Sequence, residues 1–491
     1  MTTSQDYVTY AKDIGLVAGA QIAVSLLQFA RLPILTKWLG TSLYGTWSLI
    51  WVTVVLITPL ATLGLGLAMV RFLAAEGAVA RIRDRFLSVV FTVLAAGVFV
   101  SIILILCSDL FASSIMGDIN SSHLVKLASF MVLTQALSQI GVAFFRTFRQ
   151  MKWYSALTAA KAAAQLGLMV AFLLLGWELK GLIIAVLISD TLCLTAAISA
   201  ALRQIGFQFP RFTELKSYLK YGLPLVPSSA MLWIIHYSDR YMVGYFMEAK
   251  DVGIYAAAYA LASIISLLLV PLQVVLLPAV SKSYDDGEIA RTRTYLKYSL
   301  KYLMMLSIPS AFGLSILASP LLRILTTAEF TSGSVVIPFV ASGLLFYGLY
   351  QVCLYVLYLA KKTQLELILL SIGAALNIGL NVLLVPYLGI MGAAVATLAA
   401  FFVLGMLTVL VSFRYFKFDL SLPFIVKSIL ASVIMALAIW LLNPISITWV
   451  IISILLGVFV YFAIMFAFKG FDKKELALLK GLVSGSDSKG E

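Results

Sequence analysis

The chain has 491 residues, 62% of them hydrophobic and only 12% charged, with a formal net charge of +13. A soluble domain carries roughly 25% charged residues, so this composition excludes an ordinary soluble protein and, despite the positive charge, a soluble nucleic-acid binder. Cys107, Cys193 and Cys353 each lie in or beside an apolar run, with no spacing that suggests a metal site or a disulfide framework.

Apolar runs near the ~20 residues a membrane helix needs recur along the whole chain. The first 13 residues are polar and include Asp6 and Asp13, unlike a basic signal-peptide start, so the first run reads as a retained helix. Fourteen spans are expected. The first six are Ile14–Leu35, Tyr44–Leu65, Phe86–Cys107, Leu124–Phe145, Ala156–Leu175 and Leu182–Leu202. The next six are Leu223–Phe246, Gly253–Val280, Tyr302–Ala318, Val335–Leu359, Leu367–Val385 and Met391–Phe413. Phe424–Leu442 and Ile447–Phe468 complete the set.

With the N-terminus inside, the inner segments hold 27 Lys and Arg and the outer segments five: Lys37, Lys126, Lys180, Lys250 and Arg323. That alternation predicts a multi-pass protein with both termini cytoplasmic. The connecting loops have at most about 20 residues, too short for a soluble domain of ~50 or more, so function resides between the helices.

Trp38 to Gly45, which joins the first two spans, is echoed by Phe246 to Gly253 between the seventh and eighth, at an offset of 208 residues. A weaker echo relates Gly181–Ala185 to Gly392–Ala396. Six helices per unit give both units one orientation, hence a parallel repeat about an axis along the membrane normal. The expected organisation is an N-terminal lobe over residues 1–208, a C-terminal lobe over 209–418, and two extra helices with a cytoplasmic tail over 419–491.

Ionisable groups inside a hydrocarbon layer are costly and mark sites. The seventh span holds His236, Asp239 and Arg240, which share one helix face. Asp239 lies ~12 Å below the outer end of that span at ~1.5 Å per residue, and the repeat superposes Arg31 on it at similar depth. Such a pair could meet across a cleft and part when it opens, while a guanidinium fork suits phosphate oxygens. The competing reading has both arginines snorkelling to headgroups with Asp239 as a static partner. Lys161 and Asp190 form a second pair, equally readable as an ion site or a static bridge. Asn377 and Asn381 share a face of the eleventh span as cavity polar groups or interhelical glue. No phosphate-loop motif and no H-E-x-x-H occur, and His123 and His236 are the only histidines, so neither ATP hydrolysis nor metal catalysis is expected.

Tyr221-Gly222-Leu223-Pro224 through Ser238-Asp239-Arg240-Tyr241 to Val252-Gly253-Ile254-Tyr255 resembles the signature of Wzx-type polysaccharide flippases. Asn377-Ile378-Gly379-Leu380-Asn381 through Pro386 to Gly392–Thr397, and the early Leu39-Gly40, Tyr44-Gly45 and Leu63-Gly64 pairs, fit the same family. The resemblance implies the multidrug/oligosaccharidyl-lipid/polysaccharide superfamily: an all-α membrane protein with two six-helix lobes in a V, like the multidrug extruders, plus two C-terminal helices beside a lipid-side groove. It further implies a non-enzymatic carrier of polyprenyl-diphosphate-linked glycan between leaflets of a prokaryotic plasma membrane, with Arg31, Asp239 and Arg240 near the diphosphate. Membrane lipids, and a glycan polymerase and glycosyltransferases of the same pathway, would be its partners; any coupling ion would be H+ or Na+. Two other classes compete. A cation-coupled multidrug or metabolite antiporter of the same fold could use Asp190 with Asp239. A membrane glycosyltransferase or polymerase would need an acidic external loop, which the short outer segments do not offer.

Overall fold

A computed structural model describes residues 4–115, 121–471 and 475. The five residues 116–120 and most of the tail, with Lys473, Lys474, Lys480 and Lys489, lie outside the described residues, as do the side chains of Asp6, Lys12 and Asp13. Among the described residues there is no strand. Helix α1 covers Ser4–Thr62, α2 Leu65–Phe72, α3 Val79–Leu106, α4 Ser108–Ile115, α5 Ser122–Thr147, α6 Met151–Leu174 and α7 Glu178–Ile205. Then follow α8 Leu215–Gly222, α9 Val226–Phe246, α10 Ala249–Ala262, α11 Val270–Asp285, α12 Ile289–Ile316 and α13 Ala318–Leu325. The last five are α14 Ile337–Leu359, α15 Gln364–Leu388, α16 Ile390–Ser412, α17 Leu422–Leu442 and α18 Ile447–Ala467.

Every expected span falls on a helix, and the protein is a multi-pass, all-α membrane protein. Twelve helices among the described residues are long and apolar enough to cross a membrane. One of them, Gly15–Thr62, holds the first two expected spans, broken only at Gly40, whose φ of 67° is open to glycine and strained for other residues. Helix α9, which carries His236, Asp239 and Arg240, is not among the twelve. The eighth span is not one helix: α10 gives way to a 3-10 segment over Ser263–Leu269 before Pro271 opens α11. Pro in the first turn is tolerated because its missing N–H has no intrahelical partner there.

Two glycine contacts join the first and second lobes. A Cβ on Gly45 would lie 1.8 Å from the Ala249 carbonyl oxygen, and one on Gly253 would lie 2.0 Å from the Thr41 oxygen. The contact is reciprocal between residues that the 208-residue offset equates, as a two-fold axis passing between them would generate. At the opposite, basic end, a Cβ on Gly64 would lie 2.3 Å from the Gly222 oxygen. Phe72 of α2 packs there on Tyr218 and Tyr221 of α8, and the Arg71 guanidinium stands 5.1 Å from the Tyr221 ring centroid.

The segment between the lobes is tied to the first. Asp84 accepts hydrogen bonds from the Arg211 N–H (2.5 Å) and the Thr213 hydroxyl (3.1 Å), and Arg85 bridges Glu76 (3.1 Å) and Glu214 (3.7 Å). Helices α17 and α18 sit to one side, packing on each other and on α12 around Met435, Ile439 and Tyr461, a cluster separate from the main core.

Candidate functional site

Between the two arms of α1, α9 and the 260–270 segment lies a cavity of about 550 Å³. Its wall repeats at helical spacing: Gln28, Arg31, Leu32 and Leu35 on the first arm, Tyr44, Trp47, Trp51 and Val55 on the second. Among the described residues Arg31 is its one ionisable group besides tyrosines, and no carboxylate among them lines it. The Arg31 guanidinium donates from Nη2 to Gln165 Oε1 at 2.7 Å, and its Cζ lies 6.0 Å from the Trp51 ring centroid, with Trp47 packed beyond. Its Nε has no hydrogen-bond partner.

Arg31 and Asp239 do not meet. Asp239 is fully buried inside the second lobe. Its Oδ1 accepts from the Arg240 N–H (2.8 Å) and stands 3.5 Å from Arg240 Nη1, and its Oδ2 accepts from the Tyr255 hydroxyl and the Thr397 hydroxyl (3.3 Å). Arg240 turns inward too: Nη1 donates to the His236 carbonyl at 3.1 Å, and its Cζ lies 4.7 Å from the Tyr259 centroid and 5.1 Å from that of Tyr237. His236 Nδ1 is 3.2 Å from the Tyr259 hydroxyl, with its ring against Tyr347 and Phe401. Neither His236 nor Arg240 lines the cavity; of α9, Tyr237 does. An adjoining face of α9 grips α1, where Trp233 Nε1 donates to the Val52 carbonyl (2.9 Å) and the Tyr241 hydroxyl pairs with Thr53 (2.6 Å).

Asn377 joins α15 to α9, and Asn381 braces it from within α15. The Ser238 hydroxyl donates to Asn377 Oδ1 at 2.9 Å, and Asn381 Nδ2 donates to the Asn377 carbonyl at 2.8 Å. Both side chains are buried, leaving Asn377 Nδ2 and Asn381 Oδ1 without partners. Lys161 and Asp190 form an ion pair across α6 and α7, and Lys161 Nζ also lies 3.5 Å from the Ser138 hydroxyl. Among the described residues no group of three or more His, Cys, Asp or Glu side chains is arranged to hold a metal.

Two parts of this arrangement have no counterpart in the expected site. Gln165, which fixes Arg31, is uncharged and stands in an alanine-rich helix, so no rarity marks it. The aromatic wall of Tyr44, Trp47 and Trp51 shows a spacing of three and four that betrays one helix face, though not which neighbour it meets. A separate apolar groove of about 280 Å³ runs between α12, α17 and α18, lined by Met305, Pro309, Gly313, Met435, Ile439 and Phe462.

The family described as "Polysaccharide biosynthesis protein" matches residues 10–284, more than half of the chain, and the MatE family matches residues 224–383. A Haloferax volcanii protein, "Probable low-salt glycan biosynthesis flippase Agl15", is 28% identical over 214 residues, covering 43% of this chain and 45% of that one. A Rhizobium tropici protein, "Probable lipid II flippase MurJ", is 26% identical over 209 residues, 40% and 38% of the two chains. These matches span less than half the length of the curated relatives. A solved "Lipid II flippase MurJ, inward closed conformation" shares the fold at a TM-score of 0.79 and 19% identity, covering 92% of this chain and 98% of that one. An inward-facing multidrug resistance MATE transporter follows at 0.64 and 14% identity, covering 81% and 97%. With the family match, the fold and the lobe-to-lobe cavity in agreement, the chain belongs to the polysaccharide biosynthesis protein family, within the multidrug/oligosaccharidyl-lipid/polysaccharide superfamily.

Proposed function

We propose that the protein is a flippase that carries polyprenyl-diphosphate-linked oligosaccharide units from the inner to the outer leaflet for surface polysaccharide synthesis. The observation that carries this reading is the charge of the central cavity: among the described residues Arg31 faces it, no carboxylate does, and Asp190 and Asp239 are fully buried. An anionic diphosphate is complementary to such a wall, and a guanidinium beside an indole binds it by charge-assisted hydrogen bonds in a low-dielectric setting. The apolar groove between α12, α17 and α18 suits an isoprenoid chain lying beside the lobes. With the basic end cytoplasmic, the two glycine contacts act as gates, and alternating access parts Gly64 from Gly222 while Gly45 and Gly253 stay joined, then the reverse.

The second reading is a cation-coupled antiporter of drugs or metabolites. Cationic drugs want acidic cavities, and the arginine wall opposes them. A coupling ion, H+ or Na+, would have to act through a buried carboxylate rather than one on the cavity wall; Asp239, which accepts from Thr397 on α16, is the candidate on the second lobe. Location in a prokaryotic plasma membrane, beside the glycosyltransferases and polymerase of the pathway, belongs to the same proposal. A strain lacking the gene tests it through leaflet-resolved labelling of its lipid-linked sugars. The proposal expects labelled intermediate trapped on the inner leaflet and released by the wild-type gene. Normal outer-leaflet exposure in the deleted strain would reject it.

A further inference from the structure

A second cavity, of about 390 Å³, opens at the basic end between α5, α6 and the start of α9, with Gly64 in its wall. Arg146, in the last turn of α5, and Lys161, in the middle of α6, both line it. Gln139, Ser138, Tyr154 and Thr158 add amide and hydroxyl groups, and no carboxylate among the described residues lines this cavity either. Arg146 is exposed and makes no ion pair among the described residues. Lys161 is held by Asp190, whose Oδ2 has no hydrogen-bond donor and which also lies within Coulombic reach of Arg31.

One buried carboxylate thus serves two cations, and each cation opens on a different cavity. Arg31 and Lys161 against Asp190 leave one positive charge in excess within the interior, with no acid among the described residues lining either space, and Arg146 adds a second cation at the exposed mouth. In a low-dielectric interior the unbalanced charge is costly, and an anion entering the cavity relieves it. We infer that the Arg146–Lys161 cavity is a separate binding station for a phosphate or diphosphate anion, occupied before the anion reaches Arg31. The inference rests on the flippase reading and adds to it an order of events. Arg146 supplies the free fork and Lys161 the point charge. Asp190 is a positioning residue, holding Lys161 in place while the station is empty and facing Arg31 once an anion draws Lys161 away.

The anion has two sources, a lipid-borne diphosphate or a free one, and binding to the full chain in nanodiscs separates them. The probes are farnesyl diphosphate, inorganic pyrophosphate and farnesol, titrated calorimetrically. Wild type should bind farnesyl diphosphate and not farnesol. If pyrophosphate competes with it, the station reads the anion alone; if not, it needs the attached lipid, and both results support the station. Arg146→Gln should weaken diphosphate binding about tenfold or more, and Arg146→Lys should recover part of it. Lys161→Gln combined with Asp190→Asn, which leaves neither member of that ion pair alone, should weaken it similarly while the melting temperature stays near wild type. Arg31→Gln should retain this binding and lose transport. Wild-type affinity in both Arg146→Gln and the double variant overturns the station, and a transport defect in Arg31→Gln would then still leave the flippase reading standing. Intact binding with no diphosphate-lipid transport by wild type would instead overturn the flippase reading.

Discussion

Asp239 and Arg31, equated by the repeat, have opposite surroundings. Asp239 is enclosed by Arg240, Tyr255 and Thr397, and removing its carboxylate leaves Arg240 buried and uncompensated. Asp239→Ala should therefore cost about 3–5 kcal/mol of stability, read as a lowered melting temperature in detergent, in addition to any transport defect. Arg31 faces open space, so Arg31→Gln should leave the melting temperature nearly unchanged. Both residues stand out in the sequence because charge is rare there. Their pairing across a cleft was the natural expectation from equal depth. It fails because each lobe satisfies its own ion: Gln165 takes Arg31, and α9 turns Asp239 toward α10 and α16. The sequence of α9 shows that His236 and Arg240 share a face, but not that this face turns toward Tyr259 and Tyr347 inside the lobe rather than toward the cavity.

At the level of elements, Gly45 and Gly253 allow α1 and α10 to approach backbone to backbone, and any side chain there would meet a carbonyl oxygen. Thr41→Cys with Ala249→Cys, in a chain whose three native cysteines are replaced, should form a disulfide under oxidation and stop transport, with reduction restoring it. Free transport in the crosslinked protein would remove this contact as a gate. The interlobe segment near 206–214 is held by carboxylates on and beside α3. Glu76, half-buried in its loop, is kept below the usual carboxylate range first by the Ala78 N–H and then by Arg81 and Arg85. A carboxylate held low contributes stability above its unfolded pKa and loses it as pH falls through the folded value, so this tie should persist at neutral pH and loosen only below pH ~4. Hydrogen exchange of the 206–214 amides, corrected for intrinsic rates, should show that loosening.

The apolar runs made the helices legible, but not their water-facing ends. Helix α12 starts at Ile289, thirteen residues before the expected span, because Arg291, Arg293, Lys297 and Lys301 occupy its first turns and dilute any apolar window. The short helices α4 and α13, eight residues each, lay hidden in loops because an apolar window of ~20 residues cannot register them. The break of the eighth span at Ser263–Leu269 is set by packing around the cavity, with Pro271 as its sole trace in the sequence.

Across the whole molecule, the proposed flippase function assigns the cationic cavity between the lobes to the head of a lipid-linked sugar and the apolar groove outside them to its lipid tail. Ser310 lines that groove. Ser310→Phe should slow transport of long-chain polyprenyl substrates more than short-chain ones, and an equal effect on both would detach the groove from the lipid tail. The central claim is that Arg31 meets the diphosphate of a lipid-linked sugar as it crosses. Its most direct measurement is leaflet-resolved movement of a fluorescent polyprenyl-diphosphate oligosaccharide in liposomes holding either the wild-type chain or Arg31→Gln. The account predicts movement by wild type and a loss of about tenfold or more in the variant at unchanged protein content and melting temperature. Equal rates for the two proteins would contradict it.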